Sequence, residues 1–220
     1  MPQSKQESMD KLKEKTIDLI FDFITNIPDS LHTTTSDPED RVKHLIQQAS
    51  FKAGAISATL SIPAGFTGIL TAIPDIAAIW RIQAQLVADI AATYGKIALL
   101  TREAMIWCMF RHSAAQLLRD VAVRTGSRII VQKLSSTAIK KLIEKIGLKI
   151  SSKFLGKSLL RAIPAIGAIG NGGYAYYDTR QVGKTAAAYF KELAEQDSKE
   201  ITDAEIVIPD GKDNSESSAQ

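Results

Sequence analysis

The groups in this 220-residue chain with the best spacing for chemistry are lysines. Lys141, Lys145, Lys149, Lys153 and Lys157 recur every four residues, and Leu142, Ile146, Ile150 and Phe154 repeat beside them with the same period. On a helix this spacing sets an apolar stripe next to a row of ammonium groups. Such a face can lie on anionic lipid, at about 1 kcal/mol per lysine. It can also bind phosphate groups or an acidic protein, or stay solvated while the stripe packs into a core. Nucleic acid is disfavoured, because no aromatic residue stands between Arg128 and Lys153 to stack on bases.

The carboxylates offer a second chemistry. Asp75 and Asp178 each close a run of small residues, and Gln83, Asp89, Tyr94 and Asn171 are the other polar groups of those neighbourhoods. Two converging aspartates could do acid and base work, or could pair with Arg81 and Arg180. Helix capping and buried hydrogen bonding are the simpler roles for all six. His32, His44 and His112 have neither each other nor Cys108 at a metal-ligand spacing, so no metal is expected. Gly183-Lys184-Thr185 ends like a phosphate-binding loop, but Asp178 stands where that loop needs its first glycine. No serine sits in a nucleophile elbow. No catalytic residue and no cofactor is assigned.

These residues must be positioned by helices. Residues 11–27 form an amphipathic pattern through Leu12, Ile20, Phe23 and Ile27, stopped by Pro28. Ser36 and Glu39 have the spacing of a capping box for a helix running towards Leu60. Pro74 and Asp75 suit the first turn of another, which Gly95 should end in the left-handed conformation. Thr101 caps a fourth helix. Gly126 and Ser127 mark a break, after which a basic helical stretch is expected to about Gly156. A final helix passes through Val182, Ala186 and Phe190.

Two segments stand apart. Residues 53–74 hold no charge and are punctuated by Gly54, Pro63, Gly65, Gly68 and Pro74. Residues 162–177 are also uncharged, with Pro164, Gly167, Gly170, Gly172 and Gly173. The first is long enough to span a bilayer, but its prolines and its small residues at spacing four favour helices that meet closely. Gly65, Gly68, Gly167 and Gly170 are the expected packing positions. Ile62-Pro63-Ala64 and Ile163-Pro164-Ala165 also echo one another, as in a repeated helical hairpin.

The fold class that follows is all-α, a multi-helix bundle with two Gly/Pro-punctuated apolar helical hairpins. Residues 1–35 form an N-terminal amphipathic helix and loop, 36–196 the main domain, and 197–220 an acidic disordered tail. Charge is unevenly spread: residues 102–161 hold 13 lysines and arginines against 3 acids, whereas 195–220 hold 2 against 8. One cysteine and a charged N-terminus without an apolar core place the chain in a reducing, cytoplasmic setting.

Asp75-Ile76, Ile79, Gln83, Asp89, Ile90-Ala91 and Tyr94-Gly95 resemble the signature region of the EcsC protein family. Ile163-Pro164, Gly167-Ala168, Gly170-Asn171, Val182-Gly183 and residues 186–190 resemble its C-terminal region. Ala64-Gly65-Phe66 departs from the more glycine-dense turn usual there. The resemblance implies a helical protein associated with transport or secretion, and it brings no catalytic assignment. The expected function is therefore a non-enzymatic protein at the inner face of a membrane, bound to anionic lipid or a membrane protein. The alternative is an interaction module that self-associates or binds a partner helix through small-residue faces; an enzyme of unrecognised type comes third.

Overall fold

The computed structural model describes residues 2–60, 72–119, 121–125, 128–157 and 164–205; side chains within these are left aside at places, among them 72–75, 150–157, 164–169 and Asn171. Among the described residues the chain forms six α-helices, one short 3-10 helix (Ile97–Leu99) and one hairpin: α1 (Pro2–Thr25), α2 (Pro38–Leu60), α3 (Ala72–Thr93), α4 (Arg102–Ala114), β1 (Ala122–Thr125), β2 (Arg128–Val131), α5 (Ser136–Lys157) and α6 (Pro164–Glu205). Gly65 and Gly68 lie outside the described residues.

The local signals that set the helix ends are short polar side chains and one glycine. Asp37 Oδ1 accepts from the Asp40 amide at 3.3 Å, so α2 is capped by Asp37 rather than by Ser36. The reason is Pro38, which suits the first helical position and makes the residue before it the cap. Gly95 has φ +69°, and the amides of Gly95 and Lys96 bond back to the carbonyls of Ala92 and Ala91, closing α3 as expected. Thr101 Oγ1 accepts from Ala104 at 3.3 Å and opens α4.

Three expectations change. The chain after Gly126-Ser127 is not helical at first, because Arg128–Val131 pairs antiparallel with Ala122–Thr125 in the register Ala122 with Val131 and Thr125 with Arg128. Val123, Thr125, Ile129, Ile130 and Val131 are β-branched, and their alternation puts Ile129 and Val131 against the core while Val123 and Ile130 face outward. The second apolar segment is no separate hairpin: α6 runs unbroken from Pro164 past Asp178. It also continues to Glu205, beyond the limit expected at Gln196, and Asp197 on that extension pairs with Lys96. Residues 206–220 of the acidic tail lie outside the described residues.

Helix directions give the molecule two poles. The short connection from Tyr94 to Thr101 turns α3 into α4 at one of them. Glu39 at the start of α2 pairs with Lys191, and Lys96 with Asp197, so the start of α2 and the later half of α6 lie there too. Glu103 accepts from the Leu134 amide at 3.1 Å, which starts α5 at the same end. The C-terminal ends of α2 and α4 and the N-terminal ends of α3 and α6 therefore point towards the other pole.

The core runs along the axis between them. Phe23, Trp80 and Phe110 form an edge-to-face chain, with centroids 6.3 and 5.6 Å apart. Ile20, Val87, Ile106, Ile143, Ile146 and Phe190 are buried around it. α2 packs directly on α6 where neither helix has a side chain: a Cβ on Gly172 would lie 2.9 Å from the Gly54 carbonyl oxygen. Gly173, next to it, faces open space. Gly172→Val is expected to lower unfolding free energy by about 1–3 kcal/mol. Gly173→Ala should raise it by about 0.5–1 kcal/mol by restricting the unfolded chain. Urea denaturation of both variants checks the pair.

Candidate functional site

The lysine row of α5 starts from a serine cap, where Ser135 Oγ accepts from the Ala138 amide at 3.2 Å. Ile139, Leu142, Ile143 and Ile146 then turn inward and are buried, with α1 as the main neighbour of the helix. Gly147 lets the two helices close, since a Cβ there would lie 2.8 Å from Ile17 Cγ1. The apolar stripe thus belongs to the core over its described half. Lys140, Lys141 and Lys145 are left facing solvent, and Lys149 is half-buried. Lys153 and Lys157 continue the helix, but their side chains, like those of Ile150 and Phe154, are outside the description.

The polar residues near Asp178 come together across three helices. Gln83 of α3 donates from Nε2 to Asp178 Oδ2 at 2.8 Å and to Thr179 Oγ1 at 3.2 Å. His112 of α4 places Nε2 2.6 Å from Asp178 Oδ1, with 18% and 15% of the two side chains exposed. Tyr174, one turn earlier on α6, is pushed up to about 12 by burial, and the Asp178 carboxylate and their hydrogen bond add to the shift. The cluster ties α3, α4 and α6 at one level. Asp178 is thereby engaged with His112, Gln83 and Tyr174; the side chain of Asp75 is outside the description. Sequence reasoning did not connect His112 to Asp178, because residues 66 positions apart carry no spacing signal.

Asp89 does similar work for the loop after α1. Its Oδ1 accepts from Ser30 Oγ at 2.7 Å and from Gln85 Nε2 at 2.9 Å, and Gln85 also donates to the Asp29 carbonyl at 2.9 Å. Tyr94 lines an open cleft of about 610 Å³ together with Glu39, Lys191, Glu195 and Lys199. Burial raises the Tyr94 hydroxyl above its usual range, and the Glu39 carboxylate adds to this. The hydrogen bond and charge of Lys191 hold Glu39 below the usual carboxylate range, and Lys191 lies 3.9 Å from Glu195 as well. Glu39, Lys191 and Glu195 pair with one another across the cleft, which makes it a clamp between α2 and α6.

Cys108 is buried and desolvation holds its thiol well above the usual range, so it presents no thiolate. Among the described residues no His, Cys, Asp and Glu side chains group as metal ligands. No helix among them is long and apolar enough to cross a membrane. The small-residue positions divide: Gly172 meets α2, Gly170 has nothing within 4 Å, and only the backbone of Gly167 is described. Gly183 is a packing site the sequence did not single out, 2.6 Å from Ile46 Cγ1 at its would-be Cβ.

Asp178→Asn is expected to bring the Tyr174 titration down from about 12 only part of the way towards 10, because burial, the largest cause, remains. Site-resolved NMR titration of the tyrosine rings measures this. Asp178→Ala should cost about 1–3 kcal/mol of stability by leaving buried Gln83 only the longer bond to Thr179 and taking the carboxylate from His112.

The model of the EcsC protein family matches residues 3–192, so the match takes in α1 as well as the region from α2 to α6. No curated protein and no solved structure matches the chain.

Proposed function

The chain belongs to the EcsC protein family, and from that premise and the exposed lysine face of α5 we propose that it is a non-enzymatic peripheral membrane protein that contacts anionic lipid at the cytoplasmic face of a membrane. The observation that carries the reading is the division of labour on α5. Its described apolar stripe is consumed by the core, while Lys140, Lys141 and Lys145 project into solvent with Glu144 as the exposed carboxylate among them. A helix held this way offers charge to a surface without giving up its own packing. Attraction is then electrostatic and falls with salt. The family's association with transport or secretion fits a place beside a membrane complex.

Flotation with vesicles tests the reading. Binding to phosphatidylcholine containing phosphatidylglycerol should exceed binding to phosphatidylcholine alone and decline as salt rises. Lys141→Gln and Lys145→Gln should each weaken it about five-fold, the equivalent of about 1 kcal/mol per lysine. Equal binding to neutral vesicles at low salt would sink the electrostatic account.

A second reading, self-association through a small-residue face, is favoured by Gly170 and Gly173, whose would-be Cβ positions meet nothing within 4 Å. It expects a concentration-dependent dimer in sedimentation that Gly170→Leu abolishes while the helical signal persists.

A further inference from the structure

We infer that the open cleft between the start of α2 and the later half of α6 is a binding site for a small zwitterion, a molecule that carries a primary ammonium and an acid group on an apolar body. Pro38 and Glu39 of α2, Tyr94 just past α3, and Ala194, Glu195 and Lys199 of α6 form its walls. Each wall is fixed by its own local chemistry. Asp37 caps α2 behind Pro38, the Tyr94 amide bonds to the Ile90 carbonyl at 3.1 Å, and Gly95 turns the chain away with φ +69°. The Glu39 to Lys191 pair holds α6 against α2. The volume of about 610 Å³ is that of a small-molecule site, and walls already in place add no ordering cost to binding.

Tyr94 points to the place of the ligand. The residue is only 8% exposed, yet its hydroxyl makes no hydrogen bond among the described residues. The charges that act on it are those of Glu39, Lys191 and Glu195, all of which line the cleft, so the hydroxyl is turned into that space. A phenol this deeply buried usually has a polar partner. The cleft is where a partner can reach it.

Charge selects the ligand. Glu39 and Glu195 share Lys191, the first in a direct pair and the second at 3.9 Å, so the three together carry one net negative charge. Glu195 keeps 58% of its side chain in solvent and is the carboxylate with capacity left. Lys199 stands one turn further along α6, exposed and in no ion pair among the described residues. Side chains four apart on a helix share a face, with Cβ atoms about 6 Å apart, so one small molecule reaches both. A bare anion would meet two carboxylates and a bare cation two lysines, whereas a ligand bearing both charges satisfies each side. Its ammonium donates to Glu195, its acid group accepts from Lys199 and from the Tyr94 hydroxyl, and its apolar body lies on Pro38, Ala194 and the Tyr94 ring. No residue of α5 lines the cleft, so the site does not depend on the membrane reading.

NMR titration of the full chain, isotopically labelled on its tyrosine rings, tests the site with L-phenylalanine as the probe. The Tyr94 signals should shift saturably while those of Tyr177 and Tyr189 stay in place. Phenethylamine lacks the acid group and N-acetyl-L-phenylalanine the ammonium; each should bind about five-fold more weakly, the worth of one partly exposed ion pair. Lys199→Gln should weaken L-phenylalanine by about the same factor without weakening phenethylamine. Glu195→Gln should weaken phenethylamine without weakening N-acetyl-L-phenylalanine. Both side chains are exposed, and circular dichroism checks that the variants fold. A free amino acid and the headgroup of an ethanolamine phospholipid share this chemistry. Short-chain phosphatidylethanolamine below its micellar concentration, titrated in parallel, separates them, and the tighter binder names the source. Tyr94 signals that stay in place with both probes overturn the inference, as do half-probes that bind as tightly as L-phenylalanine or a Lys199→Gln variant that binds like the parent.

Discussion

The bare contact between Gly54 and Gly172 sets the distance between α2 and α6, and much of the remaining architecture follows from it. At that separation Ile46 and Leu86 pack onto Gly183, Phe51 meets Tyr176, and Glu39 reaches Lys191 further along the same pair. α3 then lies against both helices and presents Gln83 to Asp178. A side chain at either glycine would push the helices apart and lengthen each of these contacts together. Interiors are too closely packed to absorb such a shift locally.

A long α6 makes the molecule directional. One end carries mutually paired charges, Glu39 and Glu195 with Lys191, and Lys96 with Asp197. The hydrogen-bonded group of Gln83, His112, Asp178 and Tyr174 lies midway along the bundle. It joins three helices, and so keeps α3, α4 and α6 in register with one another.

Sequence patterns made the helical class, the end of α3, the start of α4, and the amphipathic character of α5 legible, because these depend on periods of three to four residues and on caps next to the elements they close. Gly95 and Thr101 act where their local chemistry said they would. Asp37 displaced Ser36 as a cap through its neighbour Pro38, a rule also written locally but outweighed by the more conspicuous capping-box spacing. The hairpin at 122–131 was obscured for a different reason. Four-residue strands are too short for alternation to stand out, and the basic residues around them continued the pattern of α5.

The candidate site was legible by half. The row of lysines is a property of spacing, so sequence by itself determined that Lys141 and Lys145 share a helix face. Whether the stripe beside them faces a core or a bilayer depended on α1, whose Ile17 and Ile20 come from far away in the chain. His112 finding Asp178, and Gly54 meeting Gly172 from more than a hundred residues away, are likewise outcomes of helix direction and packing. Local chain chemistry sets what each helix is and which faces it has. Only the burial of those faces against one another, a free-energy balance over the whole bundle, decided which were left for water and which for a partner.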